Sequence, residues 1–297
     1  MEEQVQPSDW TKVAEFPPTW ELALLRDELQ RQNIVHKLVN HPGSRQLWVR
    51  GDDVTRTVAL LKQPGLLDQL QEHAGTHQPA GLGAQLRRHP VMVVCLLLSA
   101  LGAALVHWHF ELLHWFTFQD FNIVGRRVGF GTIEDALAEG QFWRLLTPIF
   151  LHFGIFHLAF NSLWIWEFGR RIEGFAGSLH LAVIVLLTGV GSNLGQYLWE
   201  GPSLFGGMSG VLYGLLGYLW IRHKVHPQPE LALPPGIVGF LLAWLVICMT
   251  GIVDLLMGGR IANAAHASGL VLGMILGAGA GLIHRGRSGR GRSGYNG

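Results

Sequence analysis

Charge is scarce in this chain: only 14% of its 297 residues are Asp, Glu, Lys or Arg. An ordinary soluble domain carries about a quarter, so a fully water-covered surface is excluded for most of the length. Cysteine is scarcer still, with Cys95 and Cys248 alone. Both sit in apolar runs, where a thiol acts as a small hydrophobe, and two are too few for a disulfide framework or a cysteine zinc site. The net charge of +1 offers no footing for nucleic acid. An apolar N-terminal run is also missing. Met1 to Asp9 holds acids and no hydrophobic stretch, so no cleavable signal peptide is expected and insertion would rely on internal segments.

What is abundant fits a membrane. Hydrophobic residues make up 49% of the chain and mean hydropathy is +0.27. The 39 glycines suit close helix approach in a bilayer, and the 11 tryptophans suit its interfaces.

The polar residues are unevenly placed. Residues 1–70 read as a small cytoplasmic α+β domain of βαββα order. A strand is expected near Lys12–Phe16, a helix over Trp20–Gln32, strands over Ile34–Val39 and Gln46–Val49 around the His41–Ser44 turn, and a second helix to Leu61 capped by Asp53. Residues 71–88 read as a linker, its first part rich in Gly, His, Gln and Pro. Six apolar stretches follow within residues 89–285, at about 90–110, 145–169, 178–199, 207–222, 234–256 and 263–284, each near the length that crosses a bilayer as a helix. A basic tail occupies 286–297. Arg87, Arg88, Arg170, Arg171, Arg222, Lys224, Arg285, Arg287, Arg290 and Arg292 fall on one side of a six-span arrangement, which predicts both termini cytoplasmic. The loop 111–144 is too aromatic for a solvated linker and is expected in the outer interface.

Polar residues within apolar spans are costly and need a partner or a function. Ser209, in Gly206-Gly207-Met208-Ser209-Gly210, opens the fourth stretch. Free backbone N–H groups at a helix start can hold a developing oxyanion, and glycines admit a substrate backbone. A plain N-cap serine after a turn would look the same. The soluble-hydrolase elbow is excluded because Val211 stands where that motif needs glycine. His266, in Ala265-His266-Ala267-Ser268-Gly269, could pack, relay protons or act as a base. Small residues recur every four positions at Ala265, Gly269, Gly273, Gly277 and Gly281, facing a second stripe at Gly210, Gly214 and Gly217, so the two helices could bring serine and imidazole together. Tyr213, one turn from Ser209, could stack on that imidazole. His157 and Asn161, at i and i+4, share a helix face and suit either an oxyanion hole or interhelical bonding. No metal is expected, since no carboxylate or thiolate lies near these residues and H-E-x-x-H is absent. Asp254, near the end of the fifth stretch, is left out as a third catalytic member because an interfacial acid is readily solvated.

In order along the chain, Trp143-Arg144, His152, His157, Asn161, Gly207-Met208-Ser209-Gly210, Tyr213 and Ala265-His266-Ala267-Ser268-Gly269 resemble the rhomboid intramembrane protease family, GlpG-type bacterial members in particular. The resemblance covers about residues 140–275, and the N-terminal module is similar, more loosely, to the cytoplasmic domain of such members. It implies an all-α, six-helix transmembrane rhomboid bundle in a bacterial inner membrane, cutting single-span membrane protein substrates near the outer face without a cofactor. Ser209 would be the nucleophile and His266 the base, with His157, Asn161 and the Ser209 N–H as oxyanion hole. Tyr213 and Gly207 would support them, Trp143 and Arg144 would hold the first loop, and the fifth span with 244–262 would be gate and cap. Pro148 departs from a histidine common there. Two other readings stay open: a catalytically silent rhomboid-like client-binding protein, and a transporter using the same polar residues.

Overall fold

The computed structural model describes residues 10–17, 20, 22–41, 44–70, 82–257 and 260–290. It divides into two compact units, Met1–Gln85 and Leu86–Gly297.

In the first unit, β1 (Trp10–Phe16), α1 (Ala23–Arg31), β2 (His36–His41), β3 (Ser44–Arg50) and α2 (Val54–Leu61) follow one another. The sheet has the order β1-β3-β2 and both pairings are antiparallel. Leu25 and Leu29, one helical turn apart, bury the inner stripe of α1 against Leu47 and Val49 of the central strand. Asp53 stands at the N-cap position of α2, but its side chain makes no cap. It accepts instead from the Val35 N–H at 3.3 Å and from Arg56 at 3.1 Å, tying the helix entry to β2. Most of the expected linker lies outside the described residues, and its last part differs from expectation: Leu82–Arg88 is a helix, α3.

The second unit is helical apart from one hairpin. Its long helices are α4 (Pro90–Trp108), α6 (Ile155–Ala176), α7 (Ser178–Glu200), α8 (Ser209–Val225), α9 (Ile237–Met249) and α11 (Asn263–Arg290). Shorter elements join them: β4 (Phe121–Val124) and β5 (Arg127–Phe130) in a hairpin, α5 (Ile133–Ala138), and α10 (Ile252–Met257). Three helices among the described residues are long and apolar enough to cross a bilayer by length and composition, at 90–108, 178–200 and 263–285. The others fall short for separate reasons. α6 gathers Glu167, Arg170, Arg171 and Glu173 in its later turns. α8 has only 17 residues, with Arg222, His223 and Lys224 in its last turn; it is also the central helix, enclosed from Gly210 to Leu219. α9 has only 13 residues.

Two expected spans are corrected. The second does not begin at 145: Phe142–Leu145 and Thr147–Phe150 are single 3-10 turns, and the helix starts at Ile155. Pro148 has no N–H to donate, and the chain reaches extended backbone at Leu151 before α6. The fifth stretch is broken at Thr250-Gly251, where Gly251 has φ +77°, so that α9 ends and α10 is separate.

Glutamate 173 organises one end of the bundle. Its two carboxylate oxygens accept from the N–H groups of Val91 (2.9 Å) and Met92 (3.0 Å), orphan donors in the first turn of α4. A buried acid on α6 thereby caps a helix that has Pro90 at its first turn.

Candidate active site

The meeting of α8 and α11 is backbone against backbone. A Cβ placed on Gly269 would run into the Gly210 carbonyl, one on Gly273 into the Gly214 carbonyl, and one on Gly277 would come within 2.5 Å of the Tyr218 oxygen. Without hydrophobic drive between helices in lipid, such close packing is what holds the pair. It sets the starts of the two helices side by side. There, His266 Nε2 and Ser209 Oγ are 2.7 Å apart, a hydrogen bond between residues 57 positions apart in sequence.

Each partner is fixed from behind. Ser209 is the first residue of α8, and the chain enters it through Gly206 and Gly207. Gly207 has φ +111°, and a Cβ there would lie 2.5 Å from His157 Cε1, so glycine is required on both counts. Its N–H donates to the Pro148 carbonyl at 3.0 Å, which anchors the turn to the segment before α6. On the other side, the Tyr213 ring lies 5.1 Å from the His266 ring at 33°. The Tyr213 hydroxyl donates to the Leu241 carbonyl at 3.0 Å, linking α8 to α9.

His157 and Asn161 lie along one side of α6, and Gly207 shows their reach: its absent Cβ would be 2.6 Å from His157 Nε2 and 3.5 Å from Asn161 Nδ2. Asn161 is 2% exposed and its Nδ2 is buried with no hydrogen-bond partner, as is Nδ1 of His266. Unpaired buried donors are rare because each forfeits its hydration. Amide hydrogens of this kind beside a serine hydroxyl are suited to an anionic oxygen that forms there. His152 donates through Nδ1 to the Phe150 carbonyl at 2.9 Å, and its ring packs 5.0 Å from that of His157.

Trp143 and Arg144 sit away from this cluster and tie the first loop together. Trp143 Nε1 donates to the Trp115 carbonyl at 3.0 Å. Arg144 is buried, donating to the carbonyls of His114 (2.6 Å) and Thr117 (3.0 Å) and to Gln141. Asp254 accepts from the Ile261 N–H at 3.0 Å, and among the described residues no carboxylate bonds to His266. No group of His, Cys, Asp and Glu that could hold a metal is found among the described residues.

Sequence reasoning missed two residues of α7. Gln196 Oε1 accepts from the Ala265 N–H at 3.0 Å, satisfying an orphan donor in the first turn of the helix that carries His266. Asn193 Nδ2 donates to the Leu145 carbonyl at 2.9 Å. The available signal was Ser192, Asn193 and Gln196 standing in an apolar span.

Residues 139–282 match the family model of the Rhomboid domain. Over that stretch, just under half of its length, the chain is similar to the rhomboid family. It is 40% identical over 136 residues to a protein named Rhomboid protease GlpG from Yersinia pestis (strain Pestoides F), covering 46% of this chain and 47% of that one. It is 43% identical over 143 residues to the Rhomboid protease GlpG of Serratia proteamaculans (strain 568), covering 48% of this chain and 50% of the other. The chain thus spans about half the length of these curated relatives. Together with the apolar helices, the rhomboid domain makes this an integral membrane protein.

Proposed function

We propose that this protein is a rhomboid-family intramembrane serine endopeptidase in which Ser209 and His266 act as a dyad. The 2.7 Å contact between their side chains carries the reading. Ser209 Oγ attacks a peptide carbonyl while His266 Nε2 takes its proton. The carbonyl oxygen becomes an oxyanion held by the Ser209 N–H, Asn161 Nδ2 and His157. Collapse expels the amine fragment, which leaves with the proton from His266. Water, deprotonated by His266, then releases the acyl group and restores the serine. Tyr213 holds the imidazole in plane, and Gly207 keeps the approach to Oγ open.

The relatives named rhomboid protease support the activity. The substrates we infer are single-span membrane proteins whose helix is weak near the outer face, because a hydrogen-bonded helix hides its carbonyls. The layout that goes with this reading is a cytoplasmic module over 1–70, a linker over 71–88, a protease domain over 89–285 and a basic tail over 286–297. Both termini would lie in the cytoplasm and the bundle in a bacterial inner membrane, with the stretch from α9 through residue 262 as gate and cap.

Purified protein incubated with a model transmembrane substrate provides the test. Ser209→Ala is expected to lower cleavage by about 10⁶-fold, to background, with the fold intact. Undiminished cleavage by that variant would remove the assignment. Labelling of Ser209 by a fluorophosphonate with no cleavage of any transmembrane substrate would favour the client-binding reading.

A further inference from the structure

At the end of α8 remote from Ser209, a guanidinium is enclosed without a counter-charge. Arg222, in the last turn of the helix and roughly 20 Å along the axis from Ser209, is 1% exposed. Its Nη1 donates to the His226 carbonyl at 2.9 Å, whereas Nη2 is buried and has no hydrogen-bond partner. Among the described residues no carboxylate forms an ion pair with it. The other buried charges of the bundle are answered: Arg144 by two carbonyls and Gln141, and Glu173 by two backbone N–H groups. Arginine stays charged in proteins, and a buried charge answered only by a carbonyl and the nearby Tyr218 hydroxyl, with no opposite charge, is strongly unfavourable.

The surroundings point to the missing partner. Phe175, from the end of α6, has its ring 6.0 Å from the guanidinium carbon. His180, in the first turn of α7, bonds the Tyr218 hydroxyl at 2.7 Å and lies within electrostatic reach of Arg222 and of His284 on α11. The His226 and His284 rings are 6.4 Å apart, and His284 is exposed. α7, α11 and the residue after α8 therefore bring imidazoles toward one arginine, and among the described residues no carboxylate pairs with it. All of these groups can donate hydrogen bonds, and an arginine fork matches the oxygens of a phosphate group. The site stands at a bundle end, in the last turn of α8, and basic pockets between transmembrane helices are suited to anionic headgroups. The long arginine stem allows the guanidinium to rise toward that interface.

We propose that Arg222, with His180, His226 and His284 at its rim, binds a phosphate group of net negative charge, one with no cationic choline beside it, at the end of the bundle opposite Ser209. The inference is independent of the catalytic reading, because none of these residues belongs to the Ser209 cluster.

Native mass spectrometry of the full chain, released from detergent micelles containing equal phosphatidylglycerol and phosphatidylcholine, tests it. The expected result is retention of phosphatidylglycerol over phosphatidylcholine by about tenfold, the worth of one charge-assisted bond pair. Arg222→Gln should abolish the preference, Arg222→Lys should keep part of it, and His284→Gln should weaken it about threefold. Excess inorganic phosphate identifies the source. If it displaces phosphatidylglycerol, the site also takes free phosphate; if it does not, the site takes the lipid headgroup. Equal retention of the two lipids by the unaltered chain overturns the proposal. So does a preference that survives both Arg222→Gln and His284→Gln. Circular dichroism reports whether Arg222→Gln folds, and if it does not, the exposed His284 variant decides alone.

Discussion

The core of the N-terminal module and the contact of α8 with α11 in the bundle pack with side chains of opposite size. In the module, Leu25, Leu29, Leu47, Val49 and Leu60 fill the space between a sheet and two helices. At the contact of α8 with α11 nothing larger than glycine fits, and carbonyl oxygens stand where leucine methyls would be. Polar groups follow the same division. In the bundle, Glu173, Gln196 and Asn193 each satisfy backbone groups of another element from within the core, whereas most ion pairs of the module are on its surface. The difference reflects the solvent. Water drives large apolar groups inward, but in lipid a leucine gains little by leaving the acyl chains, and dense packing with internal hydrogen bonds is left to bring helices together.

That contrast can be broken most severely by exchanging the rules. Gly273→Leu, conservative for a membrane helix by hydropathy, would drive a side chain into the Gly214 backbone. It should prevent stable assembly of α8 with α11 and abolish fluorophosphonate labelling of Ser209; a normally melting, fully labelled variant would show that the two helices do not depend on this contact. The converse change, Leu47→Ala, empties the middle of the module. It should cost the module about 2–5 kcal/mol, read from denaturant unfolding, while labelling of Ser209 in the same protein stays within twofold. Equal loss of both signals would make the two units a single cooperative one. The smallest effect is expected at α5, a short helix of the bundle unit that buries Ile133 and Ala136 and exposes its other face. Thr132 Oγ1 accepts from the Asp135 N–H at 3.1 Å, so Thr132→Ala should lower stability by about 1 kcal/mol in a thermal melt. A shift well above that would mean that the loop carries load for the helices.

Legibility in the sequence divides along related lines. The module's alternating and 3.6-residue patterns are local and were readable, and each strand and helix lies within a few residues of expectation. The Ser209–His266 approach was readable because both helices carry small residues every three or four positions, which lets their backbones come close enough for side chains 57 residues apart to meet. Apolarity alone misled at 145, where Leu145, Leu146, Ile149 and Phe150 look like helix but form 3-10 turns around Pro148. The hairpin was hidden similarly. Its aromatic flanks suggest an interfacial loop, while the deciding residue is Gly125, at φ +63° in the two-residue turn between Val124 and Arg127. Gln196 could not be placed from sequence, because its partner is a backbone N–H 69 residues away and no side-chain pattern announces such a contact.

The glycine seam also bears on the order of synthesis. α8 is complete when Val225 emerges, and Ser192 and Thr188 of α7 already line Gly210 and Gly214, yet Gly217 and the carbonyls of Gly210 and Gly214 meet their partners only when α11 arrives from Asn263 onward. A nascent or truncated chain ending before that helix holds Ser209 without its imidazole and without the neighbour that seats its helix. On the proposed dyad, Ser209 would gain its base only once α11 is made.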